Sequence, residues 1–179
     1  MSIIEETPTG STGLDRRTAL MALIGAVSLA PSTALAQTAA APMAAVSSPV
    51  QFRTTVLMTG GFAMQTSQVA LERSRNPLVR QFAQLEINEQ MALAAALGAS
   101  PGSTPLRPDH AQMLQQLQSM TGRSFDRMYV QAQIMGHNEA LALTSAYAQS
   151  GFDTQGRSVA ILAVPSIQTH LTILSGLRA

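Results

Sequence analysis

The chain has 179 residues, which is enough for one domain with a hydrophobic core. Hydrophobic residues make up 46% of it, charged residues 12% and aromatic residues 4%, and this Ala- and Leu-rich composition favours helices packed on helices. The sequence contains no Cys, which excludes disulfides and thiolate metal ligands. The formal net charge is +1 and there is no run of basic residues, which argues against nucleic acid as a partner.

The N-terminus has the order of an export signal. Arg16 and Arg17 precede an apolar run over residues 18–30, and an Ala-Leu-Ala pattern follows at residues 34–36. The apolar run is too short to span a membrane. The arginine pair is typical of a twin-arginine signal, and a general secretory signal is the alternative. We expect residues 1–36 to be removed, leaving a periplasmic or otherwise exported protein with no transmembrane anchor.

The rest of the chain is predicted to be a short tether and one helical domain. The Ala/Pro-rich residues 37–49 show no periodic pattern, and we expect them to be disordered. The domain covers residues 50–179. Its four main helical segments are predicted at about 50–75, 76–97, 124–151 and 153–177, and a shorter helix near residues 109–120.

Local signals set the ends of several of these segments. Asn76 followed by Pro77 is a strong helix start, and Gly98 fits a helix C-cap. Ser124 is a fair N-cap for the third main helix. Pro165 should kink or split the fourth. Two long hairpins joined by a longer crossover connection with a short extra helix predict an all-α, ferritin-like four-helix bundle.

Three of the four main helices place a titratable side chain on an apolar face. With about 100° of rotation per residue, Glu89 lies in the middle of the apolar stripe of the second helix, and Glu86 lies at the edge of the same face. His137 lies among apolar residues of the third helix, and His170 among those of the fourth. We therefore expect Glu89, His137 and His170 to meet in the interior.

Such a cluster has two interpretations. A buried carboxylate needs a partner, and Glu and His side chains projecting between helices are a common way to bind a divalent metal ion in a bundle. The simpler interpretation is a hydrogen-bonded Glu–His group that fixes helix register without metal or chemistry. The sequence favours this structural cluster in a non-enzymatic protein. A mononuclear metal-binding or redox protein is the alternative, and a self-associating, homo-oligomeric interaction module is a further one.

Other polar residues give weaker signals. His110, beside Asp109 at the start of the short helix, is predicted to be solvated. Asp126 and His137 are three turns apart on one helix, so Ser124, Asp126 and His137 cannot form a hydrolase triad. The methionines form no tight cluster, and filling gaps in a core poor in aromatic residues explains them.

Three blocks of the chain carry a family resemblance: ERSRNPLVRQFAQ, FDRMYVQAQIMGH and VPSIQTHL. Their order and spacing over residues 50–177 resemble the exported bacterial proteins grouped as domain of unknown function 4142. The resemblance implies a ferritin-like helical bundle in the cell envelope. It implies no particular activity, because the family is defined without one.

The chain departs from the family's pattern at two places. Where the second helix of the family commonly carries an Asp-His pair, this chain has Glu89-Gln90, and Ala63 aligns with a position that is often acidic. His137 and His170 match. The resemblance therefore does not imply a ferritin-type di-metal centre here.

Overall fold

The computed structural model describes residues 48–177, and this part of the chain is all-helical, with five helices and no strand. The predicted export signal and residues 37–47 of the predicted tether lie outside the described residues. The helices, in chain order, are α1 (Pro49–Arg73), α2 (Pro77–Ala96), α3 (Pro108–Gln118), α4 (Gly122–Ser150) and α5 (Thr154–Leu177).

The helix boundaries follow from local capping chemistry. The Asn76 side chain accepts a hydrogen bond from the backbone N–H of Leu78 at 3.0 Å, and Pro77 opens α2, which confirms the predicted start. Gly98 has a φ of +64°, the left-handed conformation that suits a residue just past a helix end. The predicted start of α4 was wrong by most of one helical turn. Its N-cap is Thr121 rather than Ser124.

The long helices pack through two groups of buried apolar side chains. α1 lies against α2 and α4, and α5 lies mainly against α4. One cluster contains Phe62, Phe82, Phe125 and Tyr129, and the other is built around Phe52 and Tyr147, whose rings stack with centroids 3.7 Å apart. α2 and α5 make few contacts with each other, so the space between them is the loosest part of the packing.

The last helix is not split at its proline. α5 runs without interruption from Thr154 to Leu177, with Pro165 inside it. Buried residues on both sides of the proline, Ala160 before it and His170 after it, tie the two halves of the helix into the same packing, which offsets the lost backbone hydrogen bond. By length and composition alone α5 is apolar enough to cross a membrane, and the core helix of a soluble protein can meet the same criteria.

The short helix is attached to α4 by a charged cluster. The guanidinium Nη2 of Arg107 lies 2.9 Å from Glu139 Oε1, and His110 Nε2 lies 3.3 Å from Glu139 Oε2. His110 is completely buried and stacks on Phe62, with ring centroids 4.2 Å apart. The prediction that His110 is solvated was therefore wrong, because α3 folds over α1 and encloses it.

This cluster predicts an acid sensitivity. Burial by itself raises the pKa of Glu139, but His110 and Arg107 outweigh it and hold the pKa below its usual 4.5. A carboxyl whose pKa is lower in the folded state stabilises the fold above its unfolded pKa, and this stabilisation is lost as the pH falls. Glu139→Gln should cost about 1 kcal/mol at pH 7 and should flatten the decline in stability below about pH 4.5, measured by urea unfolding at several pH values.

The control is Glu72→Gln, which changes an exposed carboxylate on α1. It should leave both the stability at pH 7 and its decline in acid close to wild type. Equal acid profiles for Glu139→Gln and wild type would contradict the role assigned to Glu139.

Candidate metal centre

The buried face of α2 is centred on Glu86. Residues at the spacing i, i+3, i+4 and i+7 point inwards, while Leu78 and Leu85 of the predicted stripe are 57% and 37% exposed. The packing of α2 on α1 leaves these two leucines on the outer side of the helix. As a result Glu86, predicted at the edge of the face, is completely buried, and Glu89 keeps a side chain that is 40% exposed. The buried residues of α2 are Val79, Phe82, Ala83, Glu86 and Ala94.

Three side chains from three helices converge around one point. Glu86 Oε2 lies 3.2 Å from His137 Nε2 and 3.1 Å from His170 Nδ1. The two imidazole nitrogens are 3.1 Å apart. All three residues are buried, and these atoms form a nearly equilateral triangle. The structure thus brings together the two predicted histidines, and it brings Glu86 rather than Glu89 to the nitrogen atoms that face each other.

The outer atoms of the same three residues are held by other groups. His137 Nδ1 lies 2.7 Å from the backbone carbonyl oxygen of Gln133, which can only accept, so Nδ1 carries the proton and Nε2 has the lone pair. His170 Nε2 lies 3.2 Å from Glu89 Oε2, which can only accept, so Nε2 carries a proton and Nδ1 is the nitrogen that faces Glu86 and His137. Gln90 Nε2 donates to Glu86 Oε1 at 2.7 Å.

Glu89 therefore has a different position from the one predicted for it. Its carboxylate contacts the outer nitrogen of His170 and accepts a hydrogen bond from the Ser166 hydroxyl at 3.0 Å. A carboxylate on the far nitrogen of a ligating imidazole fixes the tautomer and orientation of that ring, an arrangement common around protein-bound metals. Glu89 orients His170, and Glu86 completes the triangle.

The electrostatics of the triangle require a positive charge. Burial raises the pKa of Glu86, but the two imidazoles outweigh burial and bring it down to about 2, so the carboxylate is ionised. Burial lowers the pKa of His170, and Glu86 and Glu89 outweigh that effect and raise it above 6.5. Although Glu86 Oε2 is close to both rings, it accepts no hydrogen bond of acceptable geometry. A proton or a metal ion can supply the missing charge.

The distances suit a single small cation. An ion with bonds of about 2.0–2.2 Å separates its ligand atoms by roughly 3.3–3.6 Å in a tetrahedron and roughly 2.8–3.1 Å in an octahedron. The observed separations of 3.1–3.2 Å lie at the upper limit of the octahedral range and just below the tetrahedral one. Two imidazole nitrogens and one carboxylate oxygen favour Zn²⁺ or Fe²⁺ over Mg²⁺ or Ca²⁺, which prefer oxygen ligands throughout.

Gln133 is a buried polar residue that the sequence analysis missed. Its side-chain amide donates to the Ala63 carbonyl oxygen at 3.1 Å and to the hydroxyls of Thr66 and Ser67 at 2.9 and 3.1 Å. These bonds join α4 to α1 one turn before His137. The sequence contained a signal for this residue, because Gln133 lies four residues before His137 and therefore on the same face of α4.

A cavity of about 330 Å³ opens beside the triangle, between α2 and α5. Glu86, His137 and His170 are part of its wall, and most of the remaining wall is apolar. Ala63 and Gln90 line it as well. The space exists because small residues stand where larger side chains would meet, at Gly60, Ala63, Gly136, Ala140 and Ala163.

The fold and the site together define an all-helical protein with a buried cluster of two histidines and one glutamate. Comparison with known families makes this more specific. The family model described as "Domain of unknown function (DUF4142)" matches residues 33–177, and the chain belongs to that family. No curated protein matches the sequence.

A solved structure supports the fold. The crystal structure of a DUF305 fragment from Deinococcus radiodurans superposes with a TM-score of 0.58, at 21% sequence identity, over 74% of this chain and 97% of that one. At this identity the likeness concerns the helical fold alone.

Stability measurements can separate the two glutamates. Glu86→Gln keeps the shape of the side chain but removes the charge between two buried imidazoles, and it should cost about 1–3 kcal/mol of unfolding free energy. Glu89→Gln changes a half-exposed group and should cost less than about 1 kcal/mol. Urea unfolding of metal-free protein at pH 7 gives both values. A larger loss for Glu89→Gln would contradict the assignment of Glu86 to the centre.

Proposed function

We propose that this protein is an exported, ferritin-like four-helix bundle that binds one divalent transition-metal ion through Glu86, His137 and His170. One observation carries the proposal: three potential ligand atoms surround a common buried point while the opposite atom of each group is held by a partner. Metal sites in proteins have this construction, with the ligands oriented by hydrogen bonds behind them.

The proposed export and the proposed bundle topology rest on further observations. The order of charged, apolar and small residues over positions 1–36 supports export to the periplasm. Four long helices, with the short α3 in the connection between α2 and α4, support the ferritin-like plan. Among known bundles of that plan, metal ligands project inwards from facing helices, as these three residues do.

The second candidate is a purely structural cluster in a non-enzymatic protein, and one contact favours it. The 3.1 Å separation of His137 Nε2 and His170 Nδ1 allows one shared proton to bridge the two rings. A proton at this place would neutralise Glu86 without any metal. The two candidates differ in whether Zn²⁺ replaces that proton at micromolar concentrations.

Metal titration of the purified mature protein tests the proposal. We expect one Zn²⁺ or Co²⁺ per chain, and stabilisation of about 2.7 kcal/mol when the free metal is 100-fold above its Kd. A His137→Ala, His170→Ala double variant should lose the stoichiometric metal and the stabilisation. Elemental analysis after dialysis and thermal unfolding with and without Zn²⁺ provide the two measurements.

Glu89→Gln is the matched control, since it alters the group behind His170 and leaves all three proposed ligands in place. It should keep one metal per chain with an affinity weaker by about 10–100-fold. Metal content below one per chain in the wild type, with no further loss in the double variant, would favour the structural cluster and refute the metal site.

A further inference from the structure

We infer that the cavity between α2 and α5 binds a small amphiphilic anion, with an apolar chain along the helices and a carboxylate-like head group at the metal. This inference rests on the proposed function, because the head group is assigned to the open side of the metal ion. Three features of the cavity lead to it: its size, the chemistry of its wall and its opening.

The cavity has the size and lining of a ligand site. Its volume of about 330 Å³ is at the lower end of the range of roughly 300–1,000 Å³ for small-molecule pockets. Most of the wall consists of aliphatic side chains and the small residues already named. The polar groups are gathered around the triangle, where Glu86, His137 and His170 form one part of the wall. An apolar body with a single polar end matches this distribution.

The charge of the wall selects the head group. The lining contains two carboxylates, those of Glu86 and Glu89, and no arginine, while lysine is absent from the whole chain. Without a metal this end of the cavity would repel an anion. A divalent ion offsets the charges of these two carboxylates and keeps open coordination positions, because three protein ligands leave room for an additional one. An anionic, oxygen-bearing head group fits that open position in ligand type, because its charged oxygen binds the cation directly.

The cavity opens through an apolar rim. Leu162 belongs to the wall and is nevertheless 72% exposed, so the cavity reaches the surface beside it. Ile161, which precedes Leu162 on α5, is 52% exposed. In the most apolar 18-residue window of α5, 17% of the residues are buried. An apolar surface next to an apolar cavity provides an entry for a hydrocarbon chain.

Binding of octanoate to the Zn²⁺-loaded protein tests the inference, followed by isothermal titration calorimetry. We expect one octanoate per chain, bound at least tenfold more tightly than acetate, which has the head group without the chain. Octylamine, which has the chain with a cationic head, should bind at least tenfold more weakly than octanoate. Equal binding of acetate and octanoate, or a preference for octylamine, would overturn the inference.

Variants that fill the cavity locate the binding. Ala140→Leu with Ala163→Leu adds six carbon atoms to the wall and should weaken octanoate binding at least tenfold, with Zn²⁺ still bound at one per chain. The matched control Ala142→Leu adds the same side chain at an exposed position of α4 outside the cavity. It should change neither the octanoate affinity nor the Zn²⁺ stoichiometry. If the double variant does not fold, by circular dichroism, Ala163→Leu alone should still weaken octanoate binding measurably.

The outcomes separate the two proposals. If the wild-type protein does not bind Zn²⁺, the metal site itself is refuted. Stoichiometric Zn²⁺ with no octanoate binding, or with equal octanoate binding in the cavity-filled and control variants, would refute the inference alone. Sedimentation of the Zn²⁺-loaded protein with and without octanoate completes the test, because a dimer that excludes octanoate would assign the cavity to a second copy of the chain.

Discussion

The central constraint in this structure is a buried charge that must be balanced. Glu86 is ionised and completely buried, and the nearest atoms of its neighbours are one nitrogen of each of two imidazole rings. Three electron-rich atoms at such short range are stable only around a cation. Because they come from α2, α4 and α5, that cation links three helices at once. The identity of the cation, a proton or a metal ion, therefore decides whether the cluster is structural or functional.

The groups behind the triangle show why the three atoms stay in place. A backbone carbonyl holds the outer nitrogen of His137, Glu89 contacts the outer nitrogen of His170, and Gln90 holds the other oxygen of Glu86. Each ligand is thus oriented by a separate neighbour. The amide of Gln133 adds a second link between α1 and α4 one turn away. Binding an ion would therefore require little rearrangement, because the ligand atoms already occupy suitable positions.

The wall of the cavity explains why one metal ion fits this structure better than two. Ala63 and Gln90 both line the cavity, and a methyl group and a neutral amide are poor ligands for a transition metal. The wall therefore contains one cluster of ligands and an apolar space beside it. A single metal site with an open side is consistent with this wall, whereas a pair of metal ions would lack ligands on the α1 side.

The sequence by itself determined the helices and their ends, because capping side chains and apolar periodicity act over a few residues, as Asn76-Pro77 shows. It also placed His137 and His170 inside. The tertiary structure decided which glutamate joins them: rotation of α2 about its axis depends on how closely Ala83 and Val79 pack against other helices. It likewise buried His110 under α3 and kept α5 continuous through Pro165. These outcomes depend on contacts between residues distant in the chain, and no local pattern contains them.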